Sequence, residues 1–207
     1  MRQTEDMWTV TDAVDLAAAC LSDAGDRWSH VSGVGCAAQA LAETCRGVSD
    51  GLISAAWLHD VGYASQVVDT GCHPIDGARF LMSMDVPVEV VGLVAHHTGA
   101  AYEARERGLL AQWKELPTPD AEALDVLTMI DLAVGPSGQP LLDVERVAGI
   151  LGRYGEEDPV HRAVLKSQGN LLASSARAKQ RLGLPDYWPL PAGQGMVDAK
   201  PHGGMEV

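Results

Sequence analysis

The stretch Ala55-Ala56-Trp57-Leu58-His59-Asp60-Val61-Gly62-Tyr63 constrains this chain most. An almost wholly apolar run belongs inside a fold, and this one ends in an imidazole beside a carboxylate. Burying such a pair is costly unless a cation or a hydrogen-bond network compensates. A metal is the most economical compensation, because imidazole and carboxylate suit zinc, manganese, iron or magnesium and neighbours at a helix end can reach one ion. The pattern recurs: the apolar run Val88–Ala95 runs into His96-His97-Thr98-Gly99, while His30, His73 and Asp131 fall at or near other expected helix ends.

The fold class follows from what is available to fill a core. The chain has 207 residues, of which 46% are hydrophobic with a single Phe, so Ala, Val and Leu must do the packing, which favours close-packed helices. An all-α bundle is expected. Thr9 or Thr11 can cap a first helix that ends near Gly25; a second starts around Ser29 and closes at Gly47. Asp50 can cap the helix that ends at the His59-Asp60 dyad. His73-Pro74 and Pro87 open two more helices. Residues 102–116 read as a partly exposed helical excursion, and Thr118-Pro119-Asp120 starts a helix that passes Asp131 before Gly135-Pro136. Asp143 and Asp158-Pro159 start two final helices that read as scaffold. The expected organisation is an N-terminal helix in 1–27, a core in 28–135, packing helices in 136–184 and a flexible Pro/Gly-rich tail in 185–207, where His202 receives no role.

Cys20, Cys36, Cys45 and Cys72 show no C-x-x-C spacing and read as buried reduced thiols. The start of the chain lacks a basic, then apolar, leader, and no stretch reads as a membrane span, so a cytoplasmic protein without membrane association is expected. A net charge of −13 argues against nucleic-acid partners, since counterion release needs a basic surface.

The ordered set His30, His59-Asp60 and Asp131 on successive helices, with Arg27-Trp28-Ser29-His30, Leu58-His59-Asp60-Val61-Gly62 and Met129-Ile130-Asp131 around it, resembles the HD superfamily of metal-dependent phosphohydrolases. The resemblance covers roughly residues 28–135. It implies a helical HD-type bundle in which His30, His59, Asp60 and Asp131 hold one divalent metal. His73-Pro74-Ile75-Asp76-Gly77-Ala78 and Ala95-His96-His97-Thr98-Gly99 resemble the two extra histidine stations of the dinuclear branches. There Asp60 would bridge two ions, with His73 and one of His96 or His97 completing the second; His96 is the favoured ligand, and His97 a second ligand or substrate contact.

Two departures shape the expectation. Thr98-Gly99-Ala100-Ala101 stands where HD-GYP proteins carry glutamate and Gly-Tyr-Pro, which turns the reading away from cyclic-di-GMP. Tyr63 stands where many HD hydrolases place a phosphate-contacting lysine, and Arg27 and Arg79 are the nearest substitutes. The expected activity is therefore hydrolysis of a small phosphate ester or nucleotide, with Asp60, His97 and Arg27 in the chemistry and Arg27, Arg79 and Thr98 on the substrate. The alternatives are a diiron HD-type oxygenase and a non-catalytic HD module that binds a nucleotide or partner; a homo-oligomer is compatible with each.

Overall fold

Capping side chains open four of the ten described helices. In the computed structural model, which describes residues 8–190, the helices are α1 (Val10–Leu21), α2 (Asp26–Thr44), α3 (Asp50–Leu58), α4 (His73–Ser83), α5 (Val88–His96), α6 (Ala100–Glu106), α7 (Leu110–Trp113), α8 (Ala121–Leu132), α9 (Asp143–Arg153) and α10 (Pro159–Leu182). Short 3-10 turns follow α3 (Val61–Tyr63) and α5 (His97–Gly99). The all-α class holds: the described residues contain no strand, only an isolated bridge between Val134 and Pro140. No helix among them is long and apolar enough to cross a membrane.

Thr9 and Asp12 form a reciprocal capping box, the Asp12 N–H donating to Thr9 Oγ1 at 3.2 Å and the Thr9 N–H to Asp12 Oδ2 at 2.8 Å. Asp120 and Asp158 accept from the N–H groups of Ala123 (2.9 Å) and Val160 (2.8 Å). Three starts differ from the sequence expectation. Ser49, not Asp50, caps α3 through the Leu52 N–H at 3.2 Å. At α9, Glu145 accepts from the Leu142 N–H at 3.0 Å, which makes Asp143 the first helical residue instead of the cap. α2 begins at Asp26, three residues before Ser29, because Gly25 at φ +57° turns the chain there.

The core is built around helices buried on every side. In α3 the residues from Leu52 to Leu58 are all buried, and α5 and α8 are buried from Val90 to Ala95 and from Asp125 to Leu132. α3 packs against α1, α2, α5 and α8, and α10 lies along α8 and α6. At Gly35 a Cβ would stand 2.3 Å from the Trp57 indole, so glycine is what lets α2 and α3 approach this closely. Cys72 is buried as expected, but Cys36 is exposed and Cys20 and Cys45 are half-buried; all four are free. Residues 185–190 are not loose: Trp188 packs on the core, while 191–207, including His202, and 1–7 lie outside the described residues.

α9 and α10 close over the end of α8 through a small apolar cluster of Leu132, Val147, Val164 and Leu171. A buried ion pair fixes their register: Lys179 Nζ donates to Asp143 Oδ2 at 2.9 Å and to the Asp186 carbonyl at 3.0 Å, and Ser175 donates to Asp143 at 2.8 Å. Burial works against ionisation of Asp143, but the Lys179 ammonium and the Ser175 hydroxyl outweigh it and hold the carboxyl below its ordinary value. The folded pKa thus lies below the unfolded one, near 3.9. The stabilisation is complete above that value and is lost as pH falls through the folded pKa. Asp143→Asn is expected to cost about 1–2 kcal/mol at neutral pH. Thermal melts between about pH 6 and pH 3 should show the gap to the natural protein closing at the acid end; a gap independent of pH would contradict the assignment.

Candidate metal centre

Helix ends converge at one end of this bundle. α3, α5 and α8 deliver His59-Asp60, His97 and Asp131 from their C-terminal ends, where the helix dipole favours a cation. α2 and α4 deliver Arg27 and His73 from their first turns, and α2 delivers His30 one turn further on. All of these but His59 line one cleft together with Thr98, Glu103, Arg146, Arg153 and Tyr154.

The histidines are held in one orientation. His59 Nδ1 lies 2.8 Å from the Ala56 carbonyl, His97 Nδ1 2.7 Å from that of Val94, and His30 Nδ1 3.2 Å from that of Gly135. A carbonyl only accepts, so each neutral ring carries its proton on Nδ1 and turns the Nε2 lone pair inward, as metal-ligating histidines do. The His30 and His59 lone pairs then face each other at 3.3 Å, and His73 Nε2, on a ring whose Nδ1 no carbonyl holds, lies 3.2 Å from the Nε2 lone pair of His97. Without positive charge between them that arrangement is repulsive. A metal–nitrogen bond of about 2.0–2.1 Å places neighbouring ligands roughly 2.8–3.4 Å apart across octahedral and tetrahedral geometry, so both pairs have a spacing that a cation can hold.

Asp60 joins the two pairs. Its Oδ2 is 3.4 Å from His59 Nε2 and 3.9 Å from His30 Nε2, while Oδ1 is 3.4 Å from His73 Nε2 and 3.7 Å from His97 Nε2. His30, His59 and Asp60, and separately Asp60, His73 and His97, could each hold a metal ion. Asp131 Oδ1, 3.0 Å from His30 Nε2 and 4.0 Å from His59 Nε2, stands as a fourth group on the first side.

Electrostatics agree with the geometry. Burial opposes ionisation of Asp60, but the Arg27 guanidinium and His59 outweigh it and hold the carboxyl well below its usual range. Asp131 is likewise depressed, burial being overcome by the His30 hydrogen bond and the charge of His59. Burial opposes protonation of His59, yet Asp60 and Asp131 raise its pKa, so the carboxylates draw positive charge into the cluster. His73 is pushed well below its ordinary value by burial, which keeps it neutral and able to ligate.

Local devices position each ligand. The Asp76 carboxylate accepts from the N–H groups of Asp69 (3.1 Å), Thr70 (3.0 Å) and Gly71 (3.0 Å), pinning the preceding loop to the turn that carries His73. Tyr63 stacks on His73 with centroids 4.2 Å apart, and the Arg27 guanidinium lies over Tyr63 at 3.9 Å while donating to Asp60. Thr98 sits at φ +40°, a left-handed conformation that is strained for a β-branched residue, and its hydroxyl donates to Asp131 Oδ2.

Two sequence expectations are corrected. His96 is not in the cluster: the chain leaves α5 immediately after it, and its ring packs on Trp113 with centroids 4.3 Å apart while the next residue, His97, turns inward. Arg79 lies on the surface, bonded to Gln112 Oε1 at 2.8 Å and 3.9 Å from Asp69, outside the cleft. Three lining residues were missed. Glu103, buried and paired with Arg107 at 2.7 Å, faces His73 Nδ1 at 3.6 Å, and burial raises its pKa. Its signal was the Glu103/Arg107 spacing of four within a stretch that reads as a partly exposed helical excursion. Arg146 and Arg153 share a face with Ile150 at spacings of four and seven on α9, a helix taken for scaffold.

The cluster makes a sharp distinction between adjacent histidines. His97→Ala removes a member of the group Asp60, His73 and His97 that could hold an ion, whereas His96→Ala removes none, so metal content per purified chain is expected to fall in the first variant only; equal losses in elemental analysis would count against the geometry.

Compared with protein-family models, with curated proteins and with solved structures, the chain has no match.

Proposed function

We propose that this chain is an HD-type phosphohydrolase that holds two divalent cations astride Asp60 and hydrolyses a small phosphate ester or nucleotide. The observation that carries the reading is the division of one carboxylate between two histidine pairs, Oδ2 toward His30 and His59 and Oδ1 toward His73 and His97. A divalent cation so bound lowers the pKa of water toward neutrality and neutralises phosphoryl oxygens as charge develops. The protein's own contribution is orientation and charge. Backbone carbonyls fix the imidazoles, Asp131 and Thr98 brace the His30 side, and Arg27 presents a guanidinium at the mouth for a phosphoryl oxygen. Manganese, iron, zinc and magnesium all suit a His/Asp set.

The test is elemental analysis of the purified chain, together with phosphate release from a panel of phosphomonoesters, phosphodiesters and nucleotides after loading with each metal. Two ions per chain and metal-dependent release are expected. Iron with oxygen uptake and no release would move the site to oxygenase chemistry, and metal or nucleotide binding without any turnover would make it a binding module.

A further inference from the structure

We infer that α9 builds a second anion subsite beside the Asp60 cluster, in which Arg146 and Arg153 receive a second phosphoryl group of the substrate. The inference deepens the phosphohydrolase reading and rests on it for the first phosphoryl group.

Arg146 is the observation that demands a ligand. It is only 7% exposed, yet its Nε has no hydrogen-bond partner, and it forms no ion pair with a carboxylate among the described residues. Buried guanidinium groups are normally paired, because leaving the charge uncompensated is costly. Its one polar contact is Nη2 to His30 Nε2 at 3.3 Å. That lone pair cannot both accept from Arg146 and ligate a cation, so loading of the metal site frees this donor too. Asp131 feels the Arg146 charge without pairing to it; its Oδ1 faces His30 and its Oδ2 is taken by Thr98.

Arg153, one turn beyond Ile150 on the same face, is exposed at the cleft and likewise forms no ion pair among the described residues. Arg27, Arg146 and Arg153 line a crevice that adjoins the main cleft, in which the one acidic side chain is the exposed Asp26. In a chain of net charge −13, three arginines around one opening with a single exposed carboxylate make that opening locally positive. Arg27, held by Asp60 and Tyr63, serves the first phosphoryl group. The two remaining guanidinium groups balance a phosphoryl group, with charge of about −1.5 to −2, better than a carboxylate, and their forked donors fit its oxygens.

Calorimetric titration with two non-hydrolysable probes, methylphosphonate and methylenediphosphonate, tests this on protein freed of excess metal and on protein stripped by chelation. The natural chain is expected to prefer the diphosphonate by about tenfold or more, from the charge-assisted bonds to Arg146. Arg146→Gln should erase most of that preference and Arg153→Gln, more screened, about threefold of it, with methylphosphonate affinity changed by less than about twofold. Arg105→Gln, an exposed arginine outside the cleft, should leave it intact. No preference in the natural chain, or the same preference in all variants, overturns the subsite whether or not metal is bound. Should Arg146→Gln disturb metal content, Arg153→Gln, which touches no ligand, decides. A diphosphonate preference that depends on both arginines in a chain that takes up no metal would instead uphold the subsite and sink the metal-dependent reading.

Discussion

In the proposed two-ion phosphohydrolase site, Asp60→Ala is expected to cost both metal ions and to lower phosphate release by about 10³-fold or more, the largest functional effect of any single substitution here. Each other ligand serves one side: Asp131 faces His30 and His59, and His97 faces His73. Asp60 alone reaches both pairs. Its removal takes the shared negative charge from two sets of neutral imidazoles, and a loss of several kcal/mol of charge stabilisation amounts to about a thousandfold in rate. Asp131→Ala, by contrast, should cost the His30–His59 ion and spare the other. Asp60 also neutralises Arg27, so the variant leaves that half-buried guanidinium unpaired and should melt lower as well. Metal count per chain, read beside far-ultraviolet circular dichroism to show that the helices persist, separates loss of ligation from loss of fold. Two ions retained in folded Asp60→Ala would remove the bridging role and, with it, the division of labour on which the proposed chemistry rests.

What could be read in advance divides along a physical line. Start signals and apolar runs are local, so the all-α class, the helices ending at His59-Asp60 and near Asp131, and the Pro74 start beside His73 were legible from residue order alone. The choice between His96 and His97 was not. Two neighbours at a helix end differ by about 100° in direction, and which one points inward depends on where the helix stops, a detail set by the left-handed backbone at Thr98 and Gly99. Arg27 shows the intermediate case: its reach to Asp60 needed α2 to extend back past Trp28, and Gly25 supplies that extension. Glu103, Arg146 and Arg153 were hidden for another reason. Charged residues on amphipathic helices ordinarily face water, and only the tertiary packing of α6 and α9 turns the glutamate and the two arginines toward the cleft.

Gly62→Ala is expected to be the most destabilising small substitution in the chain, costing about 3 kcal/mol or more, and to act on the metal centre through the backbone. A Cβ at residue 62 would stand 2.0 Å from the His73 carbonyl oxygen and 2.8 Å from the Gly77 nitrogen. Neither is the tip of a side chain that can swing aside. Gly77 meets the same crowding from the other direction, its own Cβ falling 3.1 Å from the Gly62 nitrogen. The pair of glycines therefore lets the turn after the dyad touch the first turn of α4, which brings His73 Nε2 to 3.4 Å from Asp60 Oδ1. With alanine, α4 must retreat by about an ångström or more to regain ordinary contact, a strain that close-packed interiors do not absorb locally. His73 retreats with it, so the Asp60–His73–His97 ion should be lost while His30, His59 and Asp131 keep theirs. Gly149→Ala is the matching control: nothing lies within 4 Å of a Cβ there, on an exposed face of α9, and the helix should gain about 0.5–1 kcal/mol. Denaturant midpoints and metal counts of the two variants settle the matter, and a Gly62→Ala protein with unchanged midpoint and two ions would show that His73 does not depend on this contact for its place in the site.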